Sequence, residues 1–347
     1  MDCRQGGSPF IGMSLPDLEP LRRLGLDINS LELELLKANA AGSAVYRLLR
    51  QTEAGPLYPA SLILKHIPGS AAGMPREVRF IREILPGLDA PHPRVYFTGQ
   101  AESGGWLILL EDLGATHRFP EPQHIWSADE LHRVLQLYAR LHHAGMQALP
   151  PAGQRSWLHT YTLERSRLAE LPGIAAGLVA RGAWPAPLPI ERLVDELVSH
   201  SETPSEASPP TLLHSDLYPP NIALPLDSAG VAMLIDWDMA GWGAAELDLA
   251  YLFLQPFRSG SALTPAESLA IYWQARCLLG DDLPPAQVRQ SRQHAANLQL
   301  ALWLLPVQAQ VVEHPYPPGS PPDAYWQAMR PVLYQALADL SAGRSGG

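Results

Sequence analysis

Hydrophobic and polar residues alternate along the first third of the chain in the manner of β-strands. The run "LELELLK" (31–37) alternates strictly over its first five residues, which is typical of a half-buried strand. The runs at 44–50 and 60–67 follow, separated by a segment rich in turn-forming residues. Two more runs, at 94–98 and 105–111, are predicted to form a hairpin. The pattern therefore predicts five strands in this part of the chain.

One helix is predicted between the third and fourth of these strands. In "PREVRFIREIL" (75–85) the apolar residues Val78, Ile81 and Leu85 fall on one face of a helix. The predicted order is strand, strand, strand, helix, strand, strand.

The pattern becomes helical after "EDLG" (111–114). The segment 127–145 begins with Ser127 and Glu130 in the spacing of a capping box, and Gly145 is expected to end the helix. Further helices are predicted in three segments, and a polar Pro/Ser loop is predicted at 201–210. The three helical segments are 161–200, 264–280 with a capped start at Thr264, and 295–305.

The stretch "HSDLYPPN" (214–221) cannot form a regular helix, because it contains two prolines and no helical pattern. It nevertheless carries His214, Asp216 and Asn221, and polar residues held in an irregular loop often serve chemistry. A strand-like run, "VAMLIDWD" (231–238), follows and includes Asp236.

This layout is that of a phosphoryl-transfer site. Asp216 is positioned to accept the proton of a substrate hydroxyl, and Asn221 and Asp236 supply the oxygen ligands that Mg²⁺ prefers against nucleotide phosphates. Asp216 and Asn221 alone would also be compatible with turn-forming residues beside the prolines. The presence of Asp236 at this spacing favours the chemical interpretation.

The same chemistry requires a cation that neutralises the phosphates, and Lys65 near the end of the third predicted strand suits this role. A glutamate on the next helix would hold it, and both Glu77 and Glu83 are candidates. Ile63 points to the same strand face as Lys65, where it could cover an adenine. The small-residue turn "ANAAGS" (38–43), including Ser43, could offer backbone N–H groups to phosphate oxygens.

Together, "HSDLYPPN", "LIDWD" and "AELDLA" resemble the aminoglycoside phosphotransferase and choline-kinase-like family of small-molecule kinases. The usual text of that family is His-Gly-Asp-x-x-x-x-Asn followed by Ile-Asp-Trp-Asp or Glu. Ser215 replaces the common glycine here. The resemblance extends from about residue 30 to 255.

The resemblance implies a two-lobed, protein-kinase-like α+β fold. An N-terminal lobe (1–112) would contain the antiparallel five-stranded sheet with its helix and would bind the nucleotide. A mainly helical C-terminal lobe (113–347) would carry the catalytic loop and the acceptor pocket, walled by helices in 155–200 and 264–335. The segment joining the lobes would hold adenine through the backbone of Glu111 and Leu113.

The implied reaction transfers the γ-phosphate of ATP, with Mg²⁺, to a hydroxyl of an aminoglycoside-like or amino-alcohol-like molecule. A protein-modifying kinase is disfavoured, because Tyr218 replaces the usual lysine and the segment between Asp238 and Asp248 is too short for a peptide platform. A nucleotide-binding pseudoenzyme is disfavoured by the intact set of site residues. Both remain alternatives.

Three neighbouring polar residues complete the predicted site. His214 is expected to be structural, through hydrogen bonds within the loop. Asp248 is expected to hold the catalytic loop from the next helix. Asp238 is compatible with a second metal ligand and equally with a bracing role.

Composition narrows the class of protein. The chain has 347 residues, of which 46% are hydrophobic and 17% charged, which is typical of a soluble globular protein of one large or two ordinary domains. No apolar run is long enough for a transmembrane helix, and the first residues lack the pattern of a secretory signal. Two distant cysteines fit a reducing compartment, so a cytoplasmic location is expected.

The formal net charge of −10 disfavours a nucleic-acid partner, which requires a basic face. It is compatible with a cationic small-molecule substrate, although an acidic excess that only maintains solubility would look the same.

Overall fold

The computed structural model describes residues 16–38, 42–51, 58–69, 73–121, 124–148, 156–161, 165–183, 210–217, 219–250 and 263–319, together with residue 252 and short pieces between 326 and 338. These residues belong to two compact units. The first comprises the chain up to Pro86 together with Pro93–Ala115, and the second comprises Gly87–His92 and the chain from Thr116 onward.

The first unit is built on a five-stranded antiparallel sheet. Its strands lie in the order β1-β2-β3-β5-β4, and all neighbours pair antiparallel. The strands are β1 (Leu31–Ala38), β2 (Ala44–Arg50), β3 (Ser61–Ile67), β4 (Val95–Gln100) and β5 (Trp106–Glu111). Helix α1 (Glu19–Arg22) precedes them and helix α2 (Arg76–Glu83) lies between β3 and β4 in sequence. The predicted element order is confirmed.

One hydrophobic cluster of the first unit lies on one face of this sheet. Leu62 and Leu64 of β3 are fully buried in a cluster with Leu21 of α1 and with residues of β2 and β5. Since side chains alternate along a strand, Lys65 projects from the opposite face of β3. Burial of one face of β3 thus presents Lys65 on the other.

The second unit is mainly helical among its described residues. Its helices are α3 (Ala128–Ala148), α4 (Arg165–Ala180), α5 (245–250), α6 (Pro265–Leu278) and α7 (Ala286–Glu313). Two small sheets accompany them, with the orders β10-β9-β6 and β7-β11-β8. Their strands are β6 (His117–Arg118), β7 (His159–Thr160), β8 (Thr211–Leu213), β9 (Ile222–Pro225), β10 (Met233–Leu234) and β11 (Gly241–Gly243).

The predicted helix starts are confirmed by their caps. At α3, the backbone N–H of Ser127 donates to Glu130 (2.8 Å), and the N–H of Glu130 donates back to the Ser127 hydroxyl (3.3 Å). At α6, Thr264 and Glu267 form the same reciprocal pair. Each box satisfies N–H groups that the first helical turn leaves without partners.

The predicted end of α3 at Gly145 is wrong, because the helix continues to Ala148. A Cβ atom at Gly145 would lie 2.7 Å from the backbone nitrogen of Leu212 in β8. The glycine therefore permits close contact between α3 and β8 instead of ending the helix.

Two other boundaries also differ. The helix predicted at 295–305 is part of the longer α7, which continues through Pro306. The strand-like run 231–238 is a strand only at Met233–Leu234. Asp236, two residues after the strand, adopts a left-handed conformation (φ 67°) that is incompatible with a strand.

Some predictions fall outside the described residues, namely most of the loop at 201–210 and the part of 161–200 after residue 183. None of the helices in the described part of the chain has the length and apolar character needed to cross a membrane.

Candidate active site

The irregular stretch 214–221 connects β8 to β9 in the second unit. Leu213 ends β8, Pro219–Asn221 form a single 3₁₀ turn, and Ile222 begins β9. Tyr218 lies outside the described residues. The two strands therefore fix both ends of the loop.

Asp248 of α5 fixes the first half of this loop. Its buried carboxylate accepts the backbone N–H of His214 at Oδ2 (2.8 Å) and that of Ser215 at Oδ1 (2.9 Å). These hydrogen bonds confirm that Asp248 holds the loop from the following helix. Hydrogen bonds to a charged acceptor are stronger than neutral ones, so the carboxylate is a firm anchor for the two amides.

His214 is a structural residue, as expected. Its ring Nε2 lies 2.9 Å from the carbonyl oxygen of Ile235, and its Nδ1 lies 3.4 Å from the backbone nitrogen of Asp216. A carbonyl can only accept and an amide can only donate, so Nε2 carries the proton and Nδ1 accepts. The ring thereby ties the loop to the segment that contains Asp236.

Ser215 has a left-handed backbone conformation, with φ of 62°. This conformation is unfavourable for residues that have a Cβ atom, by about 1–2 kcal/mol, and glycine adopts it freely. A glycine at this position would adopt the same conformation without that strain.

Asp216 and Asn221 are brought together by direct hydrogen bonds. The side-chain amide nitrogen of Asn221 donates to the carboxylate Oδ2 of Asp216 (2.9 Å) and to its backbone oxygen (3.1 Å). Because both bonds use the nitrogen, the carbonyl oxygen of the Asn221 amide points away from Asp216. Asp216 is only partly buried.

Asp236 follows β10 and is linked to Asn221 through the backbone, since the N–H of Ile235 donates to the Asn221 carbonyl (3.0 Å). Asp236 is one of two residues other than glycine with positive φ among those described, the other being Ser215. Such strain clusters at functional sites. Asp238 is exposed on the next 3₁₀ turn.

The donors of Asn221 and Asp236 suit Mg²⁺. They offer an amide oxygen and a carboxylate, and Mg²⁺ takes few protein ligands while keeping waters and phosphate oxygens. The chemistry of the donor set therefore fits a magnesium ion shared with a phosphate better than a closed structural metal site.

In the first unit, Lys65 pairs with Glu77 of α2. The Lys65 Nζ atom lies 2.6 Å from the Glu77 carboxylate, and both side chains are largely buried. Glu83, the other candidate, lies on the exposed side of α2 beside Arg79 at 3.8 Å. The geometry thus selects Glu77 as the partner of Lys65.

The segment predicted to hold adenine already uses two of its amides. The N–H of Glu111 donates to the Arg94 carbonyl (2.9 Å), and the N–H of Gly114 donates to the Asp112 carboxylate (2.9 Å). The carbonyl of Glu111 and the backbone of Leu113, in the turn Leu113–Ala115, remain the predicted contacts. Ser43 immediately precedes β2, whereas 39–41 of its turn lie outside the described residues.

Asp112 was not identified from the sequence. Its carboxylate accepts hydrogen bonds from Arg47 of β2 (2.9 Å) and Ser61 of β3 (2.5 Å) in addition to Gly114. Burial disfavours the charged form, but the three hydrogen bonds together outweigh it and lower the pKa of Asp112. The sequence signal that could have identified Asp112 is an aspartate directly after a buried strand. Its partners Arg47 and Ser61 are distant in sequence, so the sequence pattern did not reveal them.

His142 of α3 is a second residue whose contacts were not identified from the sequence. His142 is fully buried, and its Nε2 lies 3.3 Å from the same Asp248 oxygen that binds the His214 amide. The available signal was its spacing from Leu135 and Tyr138, which places it on the same face of α3 as these two buried residues.

Solved structures with the same fold cover nearly the whole chain. A protein from Ralstonia eutropha JMP134, described as a candidate aminoglycoside phosphotransferase, is 17% identical with a TM-score of 0.58, over 94% of this chain and 97% of that one. A microcompartment-associated aminopropanol kinase is 15% identical with a TM-score of 0.53, over 91% and 94%. Spectinomycin phosphotransferase in complex with ADP and spectinomycin is 13% identical with a TM-score of 0.51, over 94% and 97%.

At these identities the similarity establishes the fold, and it confirms the predicted kinase-like α+β class. No curated protein sequence matches the chain. The sequence profile of the phosphotransferase enzyme family matches residues 36–312, which include all the predicted site residues. The chain therefore belongs to the phosphotransferase enzyme family, whose members include small-molecule kinases.

Proposed function

We propose that the protein transfers the γ-phosphate of ATP to a hydroxyl group of a small molecule, with Mg²⁺ as cofactor. The observation that carries this proposal is the Asp216–Asn221 pair, joined at 2.9 Å on a loop whose backbone Asp248 holds in place. A candidate base and a candidate metal ligand are thus held in mutual contact before any substrate binds. Such preorganisation is the main source of catalysis in phosphoryl transfer.

Asp216 is the proposed general base. The acceptor oxygen forms a bond to the γ-phosphorus, the bond from that phosphorus to the β,γ-bridging oxygen breaks, and ADP leaves. The acceptor proton passes to the Asp216 carboxylate. The hydrogen bond from Asn221 occupies Oδ2 and thereby limits rotation of the carboxylate.

Asn221 and Asp236 are the proposed metal ligands. When bound, the ion neutralises charge on the phosphate oxygens. Asn221 contributes its amide oxygen, which the two hydrogen bonds to Asp216 direct away from the base. The backbone hydrogen bond from Ile235 to Asn221 keeps the segments that carry Asn221 and Asp236 side by side.

Lys65 is proposed to bind the nucleotide phosphates, with Glu77 holding its ammonium group at 2.6 Å. Loss of Glu77 would remove the carboxylate that holds this largely buried ammonium group. The backbone groups of Glu111 and Leu113 are proposed to bind adenine, and the turn at Ser43 is proposed to contact the phosphates. ADP in the spectinomycin phosphotransferase structure supports nucleotide use in this fold.

The proposed acceptors are hydroxylated amines. Two of the similar structures are a kinase of aminopropanol and a phosphotransferase of spectinomycin. The net charge of −10 is compatible with a cationic acceptor. An aminoglycoside and a short amino alcohol remain the two representative candidates.

The experiment uses ATP labelled at the γ-phosphate and a panel of aminoglycosides, amino alcohols, macrolides and sugars, with GTP as a second donor. Acceptor-dependent transfer of label that needs Mg²⁺ and is lost in Asp216→Asn is the expected result. Nucleotide binding without transfer to any acceptor would instead favour a pseudoenzyme. Label on protein substrates alone would favour a protein-modifying kinase.

A further inference from the structure

A line of buried side chains runs from helix α6 to the carboxylate that fixes the catalytic loop. The Arg276 guanidinium donates to the Tyr272 hydroxyl at 2.8 Å, and that hydroxyl lies 2.9 Å from Nδ1 of His142. His142 Nε2 then lies 3.3 Å from Asp248. All four side chains are buried.

Only one arrangement of protons satisfies every bond in this line. Asp248 can only accept, so His142 Nε2 must carry a proton. Burial lowers the pKa of His142, although the hydrogen bond to Asp248 opposes this, so the ring is neutral and its Nδ1 accepts. Tyr272 must therefore donate to Nδ1, and its oxygen accepts from Arg276, which can only donate.

The outer end of the line is anchored as well. The Arg276 Nε atom donates to Asp281, in the turn that follows α6. Asp281 also lies 3.0 Å from Nδ1 of His143, which neighbours His142 on α3. Arg276 is thus bound to Asp281 as well as to Tyr272, and this second contact keeps its guanidinium in position to donate to the Tyr272 hydroxyl.

We propose that Tyr272, supported by Arg276, is a positioning residue for phosphoryl transfer. It fixes the tautomer and the ring orientation of His142, His142 orients Asp248, and Asp248 holds the two amides that precede Asp216. The proposal rests on the phosphotransferase activity proposed above. Outer residues that orient a functional group through another side chain are worth about 10- to 100-fold where they have been measured, at metal sites.

Tyr138 supplies a matched control on the other side of the same histidine. Its ring centroid lies 5.8 Å from that of His142, compared with 5.7 Å for Tyr272, and both tyrosines are fully buried. The Tyr138 hydroxyl, however, meets no hydrogen-bond partner among the described residues. Tyrosine-to-phenylalanine changes at the two positions therefore each remove one buried hydroxyl group, but only the change at Tyr272 removes a hydrogen bond to His142.

The first measurement is steady-state kinetics with an acceptor found as above. Tyr272→Phe is expected to lower kcat about tenfold while KM for ATP changes by about twofold or less, and Tyr138→Phe is expected to leave kcat unchanged. Equal kcat in the two variants would overturn the proposal. A rise in KM alone for Tyr272→Phe would also overturn it, because a misplaced base affects turnover.

The second measurement needs no activity. Amide hydrogen exchange in the peptide spanning 211–217 is expected to be about tenfold faster in Tyr272→Phe, because the bonds from His214 and Ser215 to Asp248 open more often. Nitrogen chemical shifts of His142 should show the Nε2–H tautomer in the wild type and in Tyr138→Phe, and a mixture in Tyr272→Phe. Unchanged exchange and an unchanged tautomer would refute the positioning role. Absence of phosphoryl transfer in the wild type, with these two effects present, would refute the proposed function alone.

Discussion

Asn221 donates its side-chain amide to the carboxylate of Asp216 across 2.9 Å. The bond joins the candidate base to the candidate metal ligand, and it gives each side chain one defined orientation. The effects of substitutions at Asp216 and Asn221 should therefore be non-additive. Turnover and nucleotide binding must be measured separately, so that the loss of the base can be distinguished from the loss of the metal ligand.

The first prediction concerns Asp216. Asp216→Asn keeps the shape and still accepts the Asn221 bond, but it removes the charge that takes the acceptor proton. We expect kcat to fall by about 10² to 10⁴, the usual range for a general base, while ATP binding is retained. Asp282→Asn, at an exposed position in the same unit, is the control and should retain wild-type kcat. Near wild-type turnover in Asp216→Asn would show that "HSDLYPPN" is only a structural loop.

The second prediction concerns the metal. Binding of a fluorescent ATP analogue is measured with and without Mg²⁺ for the wild type and for Asp236→Ala. We expect Mg²⁺ to tighten binding to the wild type and to have little effect on the variant, because a carboxylate ligand has been lost. Equal affinity in all four titrations would exclude Asp236 as a metal ligand.

The third prediction separates the two glutamates of α2. Glu77→Gln removes the charge 2.6 Å from Lys65 and should lower kcat/KM for ATP about tenfold or more, which corresponds to about 1.4 kcal/mol. Glu83→Gln removes an exposed charge on the same helix and should change kcat/KM for ATP by less than about twofold, since exposed salt bridges contribute about 0–1 kcal/mol. Loss of activity in Glu83→Gln but not in Glu77→Gln would reverse the assignment.

The parts of the fold that were predictable depend on neighbours in sequence. The strands of the first unit follow from alternation and from turn-forming segments, both of which act within a few residues. The base and the proposed metal ligands lie within one short stretch and the strand that follows it, so their spacing was visible in the chain. The choice between Glu77 and Glu83 needed the structure, because it depends on which face of α2 meets β3.

The parts that were not predictable depend on residues far apart in sequence. Asp112 meets Arg47 of another strand, and His142 meets the distant Asp248. Gly145 has the local signature of a helix end, yet contact with Leu212 explains it instead. Tertiary packing determined each of these positions, and a single sequence does not show which distant residues will pack together.

The fourth prediction concerns the pH dependence of stability. The pKa of Asp112 is lowered in the folded protein, so its ionisation stabilises the fold above its unfolded-state pKa of about 4, and this stabilisation is lost as the pH falls through the folded value. Asp112→Asn should therefore lower the Tm at pH 7, and the difference from the wild type should shrink below about pH 4. If the Tm difference between Asp112→Asn and the wild type were the same at pH 7 and below about pH 4, packing and not charge would account for the loss of stability.

The fifth prediction concerns the strained residue beside the base. Ser215→Gly removes a left-handed conformation that costs about 1–2 kcal/mol, and the greater freedom of glycine in the unfolded chain offsets part of the gain. We expect the Tm to rise by about 2 °C, for a net gain of about 1 kcal/mol, with kcat retained.

Ser215→Ala is the matched control. It removes the buried hydroxyl, which has no partner among the described residues, but it keeps the Cβ atom and its strain. If alanine stabilised the protein as much as glycine, the buried hydroxyl and not the backbone would be the source of the instability. If glycine gained stability but lost turnover, the strain at Ser215 would itself be needed to place Asp216.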